Sequence, residues 1–276
     1  MKKIIIFGAG YHGRLALRKI INSKKFYCKF FIDNDKKKIG TKILGKKIFN
    51  VNKISNTEFD HLIICGRYIE TQRKQVVKLG VQKNKILVWG KKKINPSKKV
   101  LAMRELYTLK ILKYIINEFE KIKISYWFDY SGLLSLMRKR SLAELSDVDI
   151  SINLQNVKSA IDLLKKKNNL FNFYSKRIFQ KNRRIILPRF YVIGKIKEKS
   201  FEPPIIDFVT KKFLKNYNIN LIENRRYPLT FFNSHEIKSY KKLNFRIPNG
   251  PLKYLKFVYG KDWKEPKDTW SVKRKK

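Results

Sequence analysis

The stretch YWFDYSGLLSLMRKRSLAELSDVDISI, residues 126–152, carries the reading of more than half the chain. Tyr126-Trp127-Phe128-Asp129 has the aromatic character of a buried strand end. Ser131-Gly132 follows as a small-residue turn. Leu133-Leu134-Ser135-Leu136-Met137 then has helical spacing and runs into the basic triplet Arg138-Lys139-Arg140. Asp147-Val148-Asp149-Ile150 returns as a second strand. Residues two apart on a strand share a face, so Asp147 and Asp149 set two carboxylates side by side, about 7 Å apart. Like charges in an apolar strand are costly unless a cation offsets them. Mg²⁺ suits the task, because it is held by one or two carboxylates together with substrate phosphates.

The turn adds to this reading. Ser131 and Gly132 would let the backbone approach a phosphate closely, with the N–H groups of the following helix aimed at it. A strand, a small turn, a helix and a strand carrying Asp-x-Asp is the active-site layout of the nucleotidyltransferase fold. Further along, FEPPIIDFV (201–209) places one carboxylate, Asp207, on an apolar strand 58 residues after Asp149. In that fold a third carboxylate on a neighbouring strand completes a metal cluster, and Asp207 is the candidate.

At these residues the chain resembles the LicD-type phosphotransferase family, which includes fukutin-related proteins. Tyr126-Trp127, Leu133-Leu134, Arg138 and Asp147-Val148-Asp149-Ile150 match its motif in order. Where the family has Gly-Thr in the turn, this chain has Ser131-Gly132. Leu252-Lys253-Tyr254-Leu255, Tyr259-Gly260-Lys261-Asp262-Trp263 and Pro266 resemble the family's closing helix and its Tyr-Gly-x-Asp-Trp ending. The resemblance spans about residues 125–266. It implies a metal-dependent transferase that moves a phospho-alcohol, of the phosphocholine or polyol-phosphate type, from a CDP-linked donor to a hydroxyl of a cell-surface glycan. Asp147, Asp149 and Asp207 would be catalytic and hold one or two Mg²⁺. Ser131, Gly132, Arg138 and Asp129 would contact the substrate. The expected setting is lipopolysaccharide or capsule biosynthesis in a bacterium.

The N-terminus reads differently. KIIIF (3–7) is a continuous apolar run, as in a parallel strand covered on both faces. Gly8-Ala9-Gly10-Tyr11-His12-Gly13 follows, then a helix over 12–22 and a second strand over 27–32 ending at Asp33. This is the order of a dinucleotide-binding unit, with the ribose-binding acid about twenty residues beyond the glycines. Strands over 61–65 and 85–88 and a helix over 70–79 complete a shortened, doubly wound Rossmann-like unit. No Tyr-x-x-x-Lys pair or hydride-transfer acid/base is evident in it. Phe31 to Asp35, Ile39-Gly40 and Gly45 to Ile48 resemble the small N-terminal domain of bacterial sugar O-acyltransferases. That resemblance implies a nucleotide or nucleotide-sugar site at Gly8, Gly10 and Gly13, with Asp33 accepting a hydroxyl. A purely structural Rossmann-like unit is the alternative.

The expected fold is therefore α/β: a Rossmann-like domain over 1–90, a charged linker over 91–99, an α+β nucleotidyltransferase-fold domain over 100–270 and a basic tail over 271–276. A helix over 101–122 would pack Leu106, Leu109, Leu112, Ile116 and Phe119 on the second sheet. A helix over 155–167 and strands near 171–174 and 185–193 would follow the Asp-x-Asp strand.

Composition sets the remaining bounds. The 276 residues carry 65 Lys and Arg against 21 Asp and Glu, a formal net charge of +44. Such a chain is drawn to polyanions: nucleic acid, anionic lipid or phosphorylated glycan. Lys is spread along the whole chain and accompanied by much Ile, Asn and Phe, which equally fits the drift of an AT-rich genome. Cys28 and Cys65 lack metal-ligand spacing and suit core positions in a reducing compartment. No signal peptide or apolar run of membrane-spanning length is visible, so a cytoplasmic protein is expected, able to touch the inner membrane face through its basic surface and tail. Two other functions stay open. The same carboxylates could move a nucleoside monophosphate to a small acceptor. A basic polyanion-binding module on a degenerate transferase fold is the other, although no nucleic-acid-binding motif is present.

Overall fold

A computed structural model of the chain describes residues 1–66, 68–180, 185–196, 201–221 and 225–265. The chain divides into two compact units, Met1–Val100 with Glu198–Glu202, and Leu101–Lys197 with Pro203–Lys276. Among the described residues, no helix is long and apolar enough to cross a membrane.

The first unit contains β1 (Lys2–Phe7), α1 (Tyr11–Ile21), β2 (Phe26–Ile32), β3 (Lys42–Ile43), β4 (Lys46–Phe49), β5 (His61–Ile64), α2 (Ile69–Lys78), β6 (Ile86–Val88) and α3 (Lys91–Ile94). Its six strands lie in the order β3-β4-β2-β1-β5-β6, parallel except for β3. The four apolar residues of β1 are fully buried because each face meets its own core. Ile4 and Ile6 pack with Leu15, Ala16 and Ile20 of α1. Ile5 and Phe7 pack with Val76 of α2 and with Val51 and Ile54. The unit is thus a Rossmann-like sheet wound on both sides. The chain turns back across β1 to build β5, so the crevice beyond β1 and β5 is the place where the strand order reverses. Cys28 and Cys65 are buried free thiols, both pushed up to about 12 by burial.

The segment expected as a structureless linker differs. Residues 91–94 form α3, and Ile94 is buried in the core beside Trp89. Three lysines ahead of a single isoleucine hid that anchor. The hairpin β3–β4 was also invisible to periodicity, since two and four residues are too short to show alternation. It turns through Leu44 and Gly45, both at positive φ.

The second unit contains α4 (Lys98–Lys121), β7 (Tyr126–Asp129), α5 (Tyr130–Met137), β8 (Val148–Asn153), α6 (Val157–Leu164), β9 (Phe171–Gln180), β10 (Ile185–Gly194), β11 (Ile205–Phe213), β12 (Tyr217–Asn220), β13 (Arg225–Pro228), β14 (His235–Tyr240), β15 (Leu243–Pro248) and α7 (Pro251–Tyr259). Strand β11 organises the seven-stranded sheet. It runs parallel to β8 on one side and antiparallel to β10 and then β12 on the other. Strand β7 closes the β8 edge in antiparallel sense. Phe119 of α4 stacks near Tyr126 and Phe208, so one sheet face is sealed by that helix. The buried stripe of α4 is Thr108, Ile111, Leu112, Ile115, Ile116 and Phe119. Leu106, expected on that stripe, is 72% exposed, because the apolar residues that set the helix's rotation are Ile111 and Ile115. Gly260, at φ 95°, ends α7, and Trp263 is buried beyond it. Pro266 and the basic tail 271–276 lie outside the described residues.

Candidate active site

Strand register assembles the site. Asp149 of β8 is paired with Asp207 of β11 on one side and with Asp129 of β7 on the other. Cross-strand partners share a face, so three carboxylates stand in a row across three strands. Asp147, two residues before Asp149, joins the same face.

Asp147, Asp149 and Asp207 each offer a carboxylate oxygen, and these oxygens lie within 4.8 Å of one another. Burial, then the negative charge of Asp147, pushes the Asp149 carboxyl up to about 8, against the opposing hydrogen bonds from Ser131. Burial also raises Asp207, with Arg189 working in the other direction. Arg189 Nη2 donates to Asp207 Oδ2 at 2.6 Å, while Asp207 Oδ1 is buried with no hydrogen-bond partner among the described residues.

This donor set fits a hard divalent cation. All three groups are oxygen ligands, as Mg²⁺ or Mn²⁺ prefers. Oxygens on one octahedral Mg²⁺ sit about 3 Å apart when adjacent and about 4.2 Å when opposite, so oxygens within 4.8 Å of one another would draw closer on binding it. Asp207 Oδ1 is buried and has no hydrogen-bond partner among the described residues, as a carboxylate oxygen lacking its cation would be.

The other residues expected to meet substrate are placed elsewhere by the fold. Asp129 is fully buried. Its Oδ1 accepts the Tyr130 N–H at 2.7 Å and the Tyr254 hydroxyl, and its Oδ2 accepts Ser151 Oγ at 2.6 Å and lies 3.1 Å from Lys211 Nζ. It ties β7, β8, β11 and α7 together at the β7 end of the row, and both its oxygens are taken up in doing so. Gly132 sits inside α5, and a Cβ there would meet the Phe128 ring at 2.8 Å. Its glycine is required by packing, not by a phosphate. Arg138 stands at the far end of the eight-residue α5, about 12 Å along the helix from its start. Its guanidinium donates to the carbonyl of Trp263 and, at 2.8 Å, to that of Glu265, so it fastens the C-terminal segment. Ser131 lies at the cluster, in a supporting position. Its N–H donates to Asp149 Oδ2 at 3.1 Å, and its hydroxyl is 2.6 Å from the same oxygen and 2.9 Å from the Asp147 carbonyl.

Sequence reading missed two cations and an aromatic box. Lys211 is fully buried on β11, its ammonium 4.2 Å from the ring centres of Tyr227 and Phe232 and 5.0 Å from that of Tyr130. Four residues after Asp207, it falls on the carboxylate face by the strand period, which was the available signal. Tyr130 starts α5 at φ 40°, a left-handed conformation that costs a non-glycine residue about 1 kcal/mol or more. Its hydroxyl is held by Tyr227 and Asn220, each at 2.7 Å.

In the first unit the glycine turn is closed on itself. Gly8 has φ 103°, and a Cβ on it would lie 2.9 Å from the Cys65 carbonyl. A Cβ on Gly13 would lie 1.8 Å from the Gly8 carbonyl. Gly10, in contrast, has open space around it. Asp33 accepts the Ala9 N–H at 2.7 Å and the Asp35 N–H at 2.9 Å, with Lys38 Nζ 3.3 Å away. Expected to take a ribose hydroxyl, Asp33 is engaged first in fastening the turn, and a carboxylate's remaining lone pairs are its capacity for a ligand.

Comparison with known proteins agrees with a divided chain. A family profile described as "C2185-like, N-terminal" matches residues 1–87, within the first unit. No curated protein matches the chain. Similar solved structures include UDP-D-quinovosamine 4-dehydrogenase from Vibrio fischeri, at 24% identity and TM-score 0.28, covering 32% of this chain and 76% of that one. The lincomycin-bound lincosamide antibiotic adenylyltransferase LnuA is 18% identical with TM-score 0.32, over 56% of this chain and 82% of that one. An NAD-binding protein from Listeria innocua is 10% identical with TM-score 0.24, over 89% and 80%. At such TM-scores these likenesses carry no argument about function.

Proposed function

We propose that the second unit is a metal-dependent phosphotransferase that moves a phospho-alcohol from a CDP-linked donor to a glycan hydroxyl. The observation that supports it is the convergence of the Asp147, Asp149 and Asp207 oxygens within 4.8 Å. The family resemblance of residues 125–266 supplies the donor and acceptor class. Asp147, Asp149 and Asp207 would hold a divalent cation, which would supply positive charge against the donor phosphates and the leaving nucleotide.

The chain's own residues divide the remaining work. Ser131 fixes the rotamer of Asp149 through two donors. Asp129, itself locked by Lys211 and Tyr254, sets the start of α5 from which Ser131 projects. Asp207 would complete the cluster and orient or deprotonate the acceptor hydroxyl. In this reading the first unit supplies a nucleotide or nucleotide-sugar site at its glycine turn, and the basic surface favours a phosphorylated or lipid-linked acceptor at the membrane face.

The test is CMP release from a panel of CDP-alcohols with Mg²⁺, comparing wild type with Asp147→Asn and Asp207→Asn. Mg²⁺-dependent release that both substitutions abolish is expected. Release that persists in either variant, or that ignores EDTA, would overturn the assignment.

A further inference from the structure

Arg189 is the basic side chain that meets the carboxylate cluster, and the reading above gives it no part. It lies on β10, next to Phe190, which is paired with Phe208 of β11. Its Nη2 donates to Asp207 Oδ2 at 2.6 Å, in an ion pair where the Arg189 side chain keeps 38% of its surface exposed. The guanidinium carries five N–H donors in a planar fork, a shape that matches phosphate oxygens. Its Nε is buried and makes no hydrogen bond to any described residue. The fork is therefore only partly satisfied by Asp207, and over a third of the side chain is open to solvent.

Asp207 faces two competing cations. A guanidinium and a divalent ion both demand its lone pairs, and like charges within a few ångströms repel. A side chain this exposed can rotate away without disturbing the core.

We propose that Arg189 is an exchangeable counter-ion, which holds Asp207 in competition with the divalent cation and passes to a phosphate oxygen of a diphosphate ligand once that cation binds. This inference rests on the proposed phosphotransferase site. It adds that the site selects a nucleoside diphosphate group over a monophosphate, and that metal and diphosphate bind with mutual help. Metal binding frees Arg189 for phosphate, and phosphate capture by Arg189 removes the metal's competitor. Such reciprocity is obligatory between linked ligands.

The experiment uses the full chain with Mn²⁺ alone, followed by electron paramagnetic resonance, and then with CDP or CMP in the presence of Mn²⁺, followed by calorimetry. Arg189→Gln should tighten Mn²⁺ alone on the order of tenfold, the size of effect one neighbouring charge has on a carboxylate's proton affinity. The same variant should weaken CDP by about tenfold or more, as loss of a charge-assisted hydrogen bond does, and CMP far less. Arg189→Lys, which keeps the charge, should leave Mn²⁺ near wild type and restore part of the CDP affinity. A residue that merely supports the strand would weaken both ligands in both variants. Unchanged or weaker Mn²⁺ binding in Arg189→Gln overturns the exchange, and tighter Mn²⁺ with unchanged CDP overturns the phosphate role. If wild type binds no Mn²⁺, the phosphotransferase reading falls with it. If wild type binds Mn²⁺ and these shifts are absent, this inference alone fails.

Discussion

The glycine turn of the first unit and the carboxylate row of the second are both motifs that sequence alone suggests, yet the structure treats them in opposite ways. In the turn, the pieces of the motif answer one another: Asp33 receives the Ala9 N–H, and Gly13 makes room for the Gly8 carbonyl. In the row, the charges do not balance. Asp147, Asp149 and Asp207 converge with Arg189 as their partner cation, and one buried oxygen of Asp207 is unpaired among the described residues. A motif that satisfies itself can be pure architecture. One that leaves like charges together points to something from outside.

The largest effect that could break this contrast concerns activity. Asp149→Asn should lower metal-dependent CMP release on the order of a thousandfold, the scale of losing an electrostatic group at a transferring centre. Asp33→Asn should change it by less than about threefold. If the two losses were equal, the turn would belong to the chemistry and the contrast would be wrong.

The next effect is on stability. Lys211→Met leaves Asp129 buried without its cation, which should cost about 3–5 kcal/mol in denaturant unfolding of the second unit. Combining it with Asp129→Asn should recover a large part of that loss, because the uncompensated charge is gone. A double variant no more stable than Lys211→Met would show that the aromatic box around Lys211, not the ion pair, carries the energy.

Within the turn, Gly13→Ala forces a Cβ to 1.8 Å from the Gly8 carbonyl. The first unit should lose about 3 kcal/mol, the upper range for overpacking. Gly10→Ala has free space and an ordinary φ of −93°, so it should stay within about 0.5 kcal/mol. Thermal melts of both variants distinguish packing from ligand binding, since a nucleotide-bearing turn would lose nucleotide affinity in Gly10→Ala while keeping its melting temperature.

A further effect is a pH dependence. The Asp149 carboxyl titrates near 8 in the folded protein, above its ordinary value of 3.8. The folded state therefore holds a proton that the unfolded chain releases, and stability contributed this way is complete below about 4 and lost as pH rises through about 8. In EDTA, the melting temperature should fall between pH 5 and 8, and Asp149→Asn should flatten the fall. Added Mg²⁺ should raise the melting temperature most at the alkaline end, where the carboxylates are ready to bind it.

Legibility in the sequence followed the reach of each signal. Asp147 and Asp149 could be placed on one face because the strand period is local, and Asp207 stood out as a carboxylate in an apolar run. Arg189 and Lys211 could not be singled out from 65 basic residues, because what distinguishes them is a partner far away in sequence. Asp129 and Arg138 were recognisable residues with misread duties. The polar group that looks free on the page is consumed by Tyr254 and Lys211 in one case, and by the main-chain carbonyls of Trp263 and Glu265 in the other. On α4 the expected stripe holds at Leu112, Ile116 and Phe119, and only Leu106, a turn and a half earlier, is left exposed.

The pairing of Asp149 with Asp207 has a consequence for how such a site can change over time. A pleated strand offers its neighbour only discrete positions. Losing one residue within β8 would turn Val148 and Ile150 toward the ligand and drive both acids into the phenylalanine layer. Losing two would slide the strand by about 7 Å and bring a different residue opposite Asp207. Unless a β-bulge absorbs the change, as the register shift between Ile4 and Ile5 does in β1, insertions and deletions inside this strand break the cluster outright, and variation is expected in the loops around it.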